Sequence, residues 1–131
     1  MRPVPHRFLH EGSSEVYRVL VVEDDEATRE GVAAVLHARG YMVACATDGR
    51  EGLRQLHEHR PDVILLDLNM PVMDGWQFRR EQKQDPMVAD IPIIVVSASP
   101  EPQEDIEAAA FLAKPCEVDD LLRALGSCFT R

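Results

Sequence analysis

Residues 62–75 read Asp62-Val63-Ile64-Leu65-Leu66-Asp67-Leu68-Asn69-Met70-Pro71-Val72-Met73-Asp74-Gly75. Val63 to Leu66 form an apolar run too short for a helix and bounded on both sides by aspartate. That is the pattern of a strand buried on both faces of a parallel sheet. The run stops on Asp67, and Pro71 and then Asp74-Gly75 follow as breakers. A carboxylate is thereby delivered to the carboxyl end of a central strand, where open α/β sheets bind their ligands. From this stretch alone, Asp67 serves equally well as a strand terminator or as a functional acid.

The flanking sequence repeats the pattern. Val19 to Val22 read as a first buried strand, followed directly by Glu23-Asp24-Asp25. A helical pattern comes next, with Val32, Val35 and Leu36 on one face and Gly40 as a left-handed C-terminal cap. One acid at a helix start favours the macrodipole; three are more than capping requires. Met42 to Ala46 read as a second strand. Thr47-Asp48-Gly49 open a helix with Leu53 and Leu56 inward and His57 and His59 at a solvated end. After the central strand, a helix runs from about Gly75 to Gln82, and Lys83 to Asp90 form a polar connection. Ile91 to Val96 read as the next strand, with Pro92 tolerated near its start, and this strand ends on Ser97-Ala98-Ser99. A short strand, Ala110 to Ala113, ends on Lys114-Pro115. The final helix, from Glu117, places Val118, Leu121, Leu122 and Leu125 at helical spacing.

Five alternations of strand and helix predict an α/β fold, a doubly wound five-stranded parallel sheet with helices on both faces. Right-handed crossovers favour the flavodoxin-like order 2-1-3-4-5. Only ten residues separate Ser99 from Ala110, and Pro100 and Pro102 are among them. The fourth helix is therefore expected to be short, at most about two turns.

At 131 residues the chain has the length of one domain with a real core. Fourteen basic and twenty-three acidic residues give a net charge of −9. That opposes binding to nucleic acid or to an anionic membrane, both of which need a basic surface. Cys45, Cys116 and Cys128 are odd in number and lack metal-ligand spacing, so reduced thiols in a cytoplasmic protein are expected. No apolar stretch reaches membrane-spanning length, and there is no signal-peptide core. Residues 1–16, with Pro3, Pro5, Gly12, Ser13 and Ser14, read as a flexible leader. Residues 17–131 read as the folded domain.

The polar residues fall at strand ends. Glu23 and Asp24 end strand one, Asp67 strand three, Ser97 strand four and Lys114 strand five. Strands one and three are neighbours in the expected order, so three carboxylates share one crevice. They repel one another unless a cation joins them. Carboxylates with a backbone carbonyl, such as that of Asn69, are hard oxygen ligands suited to Mg²⁺, which often bridges to phosphate. A hydroxyl and an ammonium at the rim suit phosphoryl oxygens.

The ordered set Glu23-Asp24, Asp67-x-Asn69-Met70-Pro71, Met73-Asp74-Gly75, Ser97-Ala98 and Lys114-Pro115 resembles the receiver domain of two-component response regulators, over Arg18 to about Phe129. The resemblance implies that Asp67 is the phosphoacceptor and that Asp24 and Asp67 bind Mg²⁺ directly. It implies that Glu23 binds the ion through water and Asn69 through its backbone carbonyl. Ser97 would hydrogen-bond the phosphoryl group, Lys114 would pair with it, and Phe111 matches the aromatic position that changes rotamer on activation. The Lys114-Pro115 bond is expected to be cis. The implied partners are a histidine kinase or phosphotransfer protein and a downstream protein target. The chain is then primarily a signalling switch, one that catalyses its own phosphorylation and dephosphorylation. Two features depart from the family pattern: the short fourth helix, and Cys116 in place of a bulky apolar residue.

Three other readings share parts of this pattern. A phosphorylation-independent interaction module has the same fold, but the intact acid set, Ser97 and Lys114 weigh against it. A small phosphatase with an aspartate nucleophile wants a second acid where Asn69 stands. A flavin-binding protein needs a glycine- and hydroxyl-rich loop where strand one runs into acids.

Overall fold

The computed structural model describes residues 16–98 and 106–129. Each apolar run of the sequence becomes a parallel strand: β1 (Arg18–Val22), β2 (Met42–Ala46), β3 (Val63–Leu66), β4 (Ile93–Ser97) and β5 (Ala110–Ala113). They form one sheet in the order β2-β1-β3-β4-β5. The helices between and after them are α1 (Glu26–Ala38), α2 (Gly49–His59), α3 (Gly75–Lys83) and α4 (Val118–Phe129). β3 is central and buried along its whole length, as a strand covered on both faces must be.

The period of two along each strand sorts the core into two layers. Leu20, Val22, Ile64, Leu66, Ile93 and Val95 pack with Leu56 of α2 and Phe78 of α3. Val19, Val21, Val63, Leu65 and Ile94 pack with Leu36 of α1 and with Leu121 and Leu125 of α4. Helices therefore cover both faces, as the alternation predicts.

Aspartates start three of the helices. Asp25 accepts from the Thr28 backbone N–H at 2.9 Å, and Asp48 from that of Glu51 at 2.9 Å. Asp74 caps α3 in a reciprocal pair with Gln77, which satisfies two otherwise orphaned N–H groups. Gly40, at φ 91°, follows α1 in the left-handed conformation expected of it.

Several boundaries differ from the sequence reading. The fourth strand starts at Ile93, two residues later than expected. Pro92 has no N–H to give the ladder, and its carbonyl accepts from Ile64 just before the strand begins. Ile91 is buried in the core from the connection instead. The short fourth helix was expected across residues that lie mostly outside those described; Ile106 to Ala109 are turn and loop. The expected leader also lies outside the described residues, except Val16.

His57 is not merely solvated surface. Its Nδ1 meets the Leu53 carbonyl at 2.9 Å and its Nε2 the Asp85 carboxylate at 2.5 Å, joining α2 to the connection after α3. The Asp85 bond holds the His57 pKa above its ordinary value, with the Leu53 carbonyl adding to it. A raised folded-state pKa contributes stability that is complete below the unfolded value and lost as pH rises through the folded one. His57→Gln should therefore cost stability at about pH 6 and progressively less as the pH is raised above about 6.5. Parallel urea titrations of both proteins across that range test this; a pH-independent difference would sever the pair from stability.

Candidate functional site

Register brings the acids together. Val22 pairs with Leu66, and Asp67 N donates to the Val22 carbonyl at 3.1 Å. Glu23 therefore stands beside Asp67 at the carboxyl end of neighbouring strands. Glu23 and Asp67 are buried, while Asp24 is exposed. One carboxylate oxygen from each lies within 4.8 Å of the others. The three acids after β1 divide their work. Asp25 caps α1, which leaves Glu23 and Asp24 free of capping. Glu23 Oε2 also accepts from the Asp25 N–H at 3.0 Å, fixing its direction.

Lys114 supplies the cation that this cluster needs. It leaves the end of β5, and its Nζ reaches Glu23 Oε1 at 2.5 Å and Asp67 Oδ2 at 3.3 Å. The ammonium sits among the carboxylates rather than at the rim where the sequence placed it. Burial pushes the Glu23 carboxyl above its usual range, with the Lys114 bond opposing and the Asp67 charge adding. Burial alone would lower Lys114, but bonds and charges from Glu23 and Asp67 outweigh it and raise the ammonium's pKa. The group thus stays charged, with its two carboxylate partners just past the ends of β1 and β3.

Ser97 is fully buried at the end of β4, and its Oγ accepts from the Asn69 side-chain amide at 3.2 Å. The Asn69 backbone N–H donates to Asp67 Oδ1 at 3.2 Å. Asn69 therefore touches both Asp67 and Ser97. Phe111 pairs with Val95 in the sheet and packs, half-buried, on the core layer of α2 and α3. The Lys114-Pro115 bond is cis.

The loop after Asp67 is held close. A Cβ on Gly75 would lie 2.7 Å from both the Asp67 carbonyl oxygen and the Leu68 Cα, so only glycine lets α3 begin this near the acid. Val72 sits at φ 70° with Met73 N donating to the Pro71 carbonyl at 2.7 Å. A β-branched residue there marks local strain, and its side chain is 70% exposed beside the site. On the other side, an apolar cleft of about 480 Å³ runs from Asp67 and Lys114 between α1 and α4. It is bordered by Gly31, Val32, Leu65 and Cys116, so the small side chain at position 116 leaves this space open.

Two contributors were not found in the sequence. The Arg29 guanidinium on α1 donates to the Glu23 carbonyl at 2.9 Å and the Asp24 carbonyl at 3.3 Å, pinning the acid loop. A basic residue one helical turn after the acids was the available signal. The side-chain bond from Asn69 to Ser97 had none, since it depends on strand register.

The response regulator receiver domain family matches residues 19–126. Among curated proteins, the chain is 36% identical over 119 residues to the response regulator MprA of Mycolicibacterium vanbaalenii. It is 32% identical over 119 residues to the DNA-binding dual master transcriptional regulator RpaA of Synechocystis. These matches cover 87% of this chain but 51% and 49% of those proteins, so it spans about half their length. Among solved structures, the chemotaxis protein CheY4 of Vibrio cholerae superposes with a TM-score of 0.81 at 32% identity, covering 87% of this chain and 99% of that one. The receiver domain of a sensor histidine kinase from Pseudomonas aeruginosa, which carries a magnesium ion in its active-site cleft, gives a TM-score of 0.78 at 29% identity over 85% of this chain and 95% of its own.

Removing Lys114 tests the cluster. Lys114→Met would leave Glu23 and Asp67 buried without their shared ammonium. Breaking a fully buried pair costs about 3–5 kcal/mol; because the lysine side chain is 22% exposed, about 2 kcal/mol is expected here. Denaturant unfolding at neutral pH measures it, and a cost below about 0.5 kcal/mol would mean the pair is solvated like a surface bridge.

Proposed function

The chain belongs to the response regulator receiver family, a family of signalling switches, and from that premise we propose that Asp67 accepts the phosphoryl group. The observation that carries this reading is the Asp67 carboxylate at the end of a buried strand. Two further carboxylates lie within 4.8 Å of it, and an ammonium lies at 3.3 Å. Residues 17–131 would form the receiver domain, with residues 1–16 as its leader.

The donor set fits Mg²⁺. Glu23, Asp24 and Asp67 offer hard oxygens, to which the Asn69 carbonyl would add. When bound, the ion supplies positive charge for the phosphoryl oxygens. Everything else is done by this chain's own residues. The Asp67 oxygen attacks phosphorus as the P–N bond of a phosphohistidine, or the P–O bond of an acyl phosphate, breaks. The leaving group departs with the bonding electron pair. Lys114 pairs with a phosphoryl oxygen, and this loosens its hold on Glu23. Ser97 turns its hydroxyl from the Asn69 amide to the phosphoryl group. Phe111 follows into the space vacated, and the surface around β5 changes. The partners proposed are a histidine kinase or phosphotransfer protein on one side and a protein target on the other. The net charge of −9 opposes direct binding to nucleic acid or an anionic membrane.

Acetyl phosphate with Mg²⁺ should add one phosphate to the wild type, read by intact mass, and none to Asp67→Asn. Equal labelling of both would reassign the acceptor. Loss of labelling in EDTA is expected too. Mg²⁺ at about ten times its dissociation constant should stabilise the fold by about 1.4 kcal/mol by mass action. The thermal shift should be smaller in Asp67→Asn, which lacks one ligand; an equal shift would place the ion elsewhere.

A further inference from the structure

The inward face of α3 carries Gly75, Phe78, Arg79 and Gln82. Two of these are long polar side chains in the interior, and neither is used in the chemistry at Asp67. Arg79 is 6% exposed and Gln82 fully buried. Arg79 Nε donates to the Ile106 carbonyl at 2.7 Å, and Nη2 to the Glu107 carbonyl at 3.1 Å. Its Nη1 donates to Gln82 Oε1 at 2.7 Å. Gln82 Nε2 in turn donates to the Val88 and Ile91 carbonyls at 2.9 and 3.0 Å. One network thus ties α3 to the connection before β4 and to the segment that leads into β5.

This arrangement is locally expensive. Burying a guanidinium costs free energy, and its partners among the described residues are carbonyl and amide oxygens rather than a carboxylate. Burial lowers the Arg79 pKa accordingly. Glu107 sits at φ 56°, a conformation that non-glycine residues avoid. Its side chain is tied to Lys83 on α3. Such costs at one place point to a job other than packing. We propose that Arg79 is a positioning residue for the switch: its planar fork holds Ile106 and Glu107 in the resting arrangement, and phosphorylation of Asp67 changes the surface by loosening that hold.

The link to the site is volume. Ile106 is fully buried in the core layer against which Phe111 packs. Interiors are close-packed, so Phe111 turning into the space Ser97 vacates also presses on its neighbours in that layer. Ile106 is the neighbour whose backbone Arg79 grips. Ala109 N donates to the Ile93 carbonyl at 2.7 Å, so the same short segment also sets where β5 begins. A lysine would not substitute. Its single ammonium cannot direct three N–H groups in a plane at oxygens on two separate segments.

The proposal rests on the phosphoacceptor reading, and the test separates the two. Amide hydrogen exchange is followed by mass spectrometry on the full chain, with and without acetyl phosphate and Mg²⁺. Phosphorylation of wild type should speed exchange across residues 106–113 by about tenfold, as expected for losing one hydrogen bond to a charged group. Arg79→Met should exchange that fast at rest and gain less than about twofold on labelling. Arg79→Lys should lie between, which keeps the test open if the methionine variant does not fold. A labelled wild type with unchanged exchange at 106–113 overturns the latch alone. A resting rate in Arg79→Lys equal to wild type does the same. Failure of wild type to label at Asp67 overturns the phosphoacceptor reading and the latch with it.

Discussion

The pairing of Lys114 with Glu23 and Asp67 is the contact on which the rest of this site depends. Two buried carboxylates next to each other are unfavourable, and burial already pushes Glu23 upward. The ammonium that relieves them comes from β5, at the far side of β4 and β3 from Glu23. A long side chain such as lysine is needed to span that distance, with β5 ending level with the acids. The bond from Lys114 N to the Ser97 carbonyl at 3.0 Å sets that level. A charge balance at the top of the sheet is thereby built into the placement of its edge strand. The new charge proposed for Asp67 would redistribute Lys114 and be felt at β5 without a long pathway.

Much of this was legible in the sequence because strand ends are. Val63–Leu66 stopping on Asp67, and Val19–Val22 stopping on Glu23, give the position of the acids once the strand order is granted. The order follows from alternation and crossover handedness. What sequence patterns do not carry is register and side-chain reach. Glu23, Asp24 and Asp25 read as one acidic cluster, yet Asp25 turns to cap α1 while its neighbours face the site. Lys114 read as a rim residue because nothing local says that it bends inward to Glu23. Asn69 was read for its backbone carbonyl, and its amide bond to Ser97 depends on where β3 and β4 end relative to each other. The late start of β4 is a propensity question decided by Pro92, whose missing N–H ends the ladder one step before Ile93.

Arg79 illustrates a different limit. On α3, nothing in the sequence pattern marks Arg79 and Gln82 as buried, yet both lie in the interior. Their burial is set by backbone carbonyls that need donors: Ile106 and Glu107 on one segment, Val88 and Ile91 on another. Carbonyls in loops that lack a regular ladder must be satisfied by something. On α3, Arg79 supplies those donors to the segment before β5 and Gln82 to the connection before β4.

The two halves of the molecule then differ in how they resist change. The β1–β3 end is fixed by strand pairing, by the Gly75 contact and by Arg29 on the acid loop. None of these involves a group whose partner would change with the charge of Asp67. The β4–β5 end is fixed by Lys114, by the Asn69 bond to Ser97 and by the Arg79 fork. Two of those three end directly on residues that a phosphoryl group would recruit. A perturbation at Asp67 therefore meets a stiff side and a side held by exchangeable polar bonds. Under the proposed phosphorylation of Asp67, the second is the side that would move. That asymmetry comes from the placement of a few donors, and a sheet of the same order with apolar residues at positions 79 and 114 would lack it.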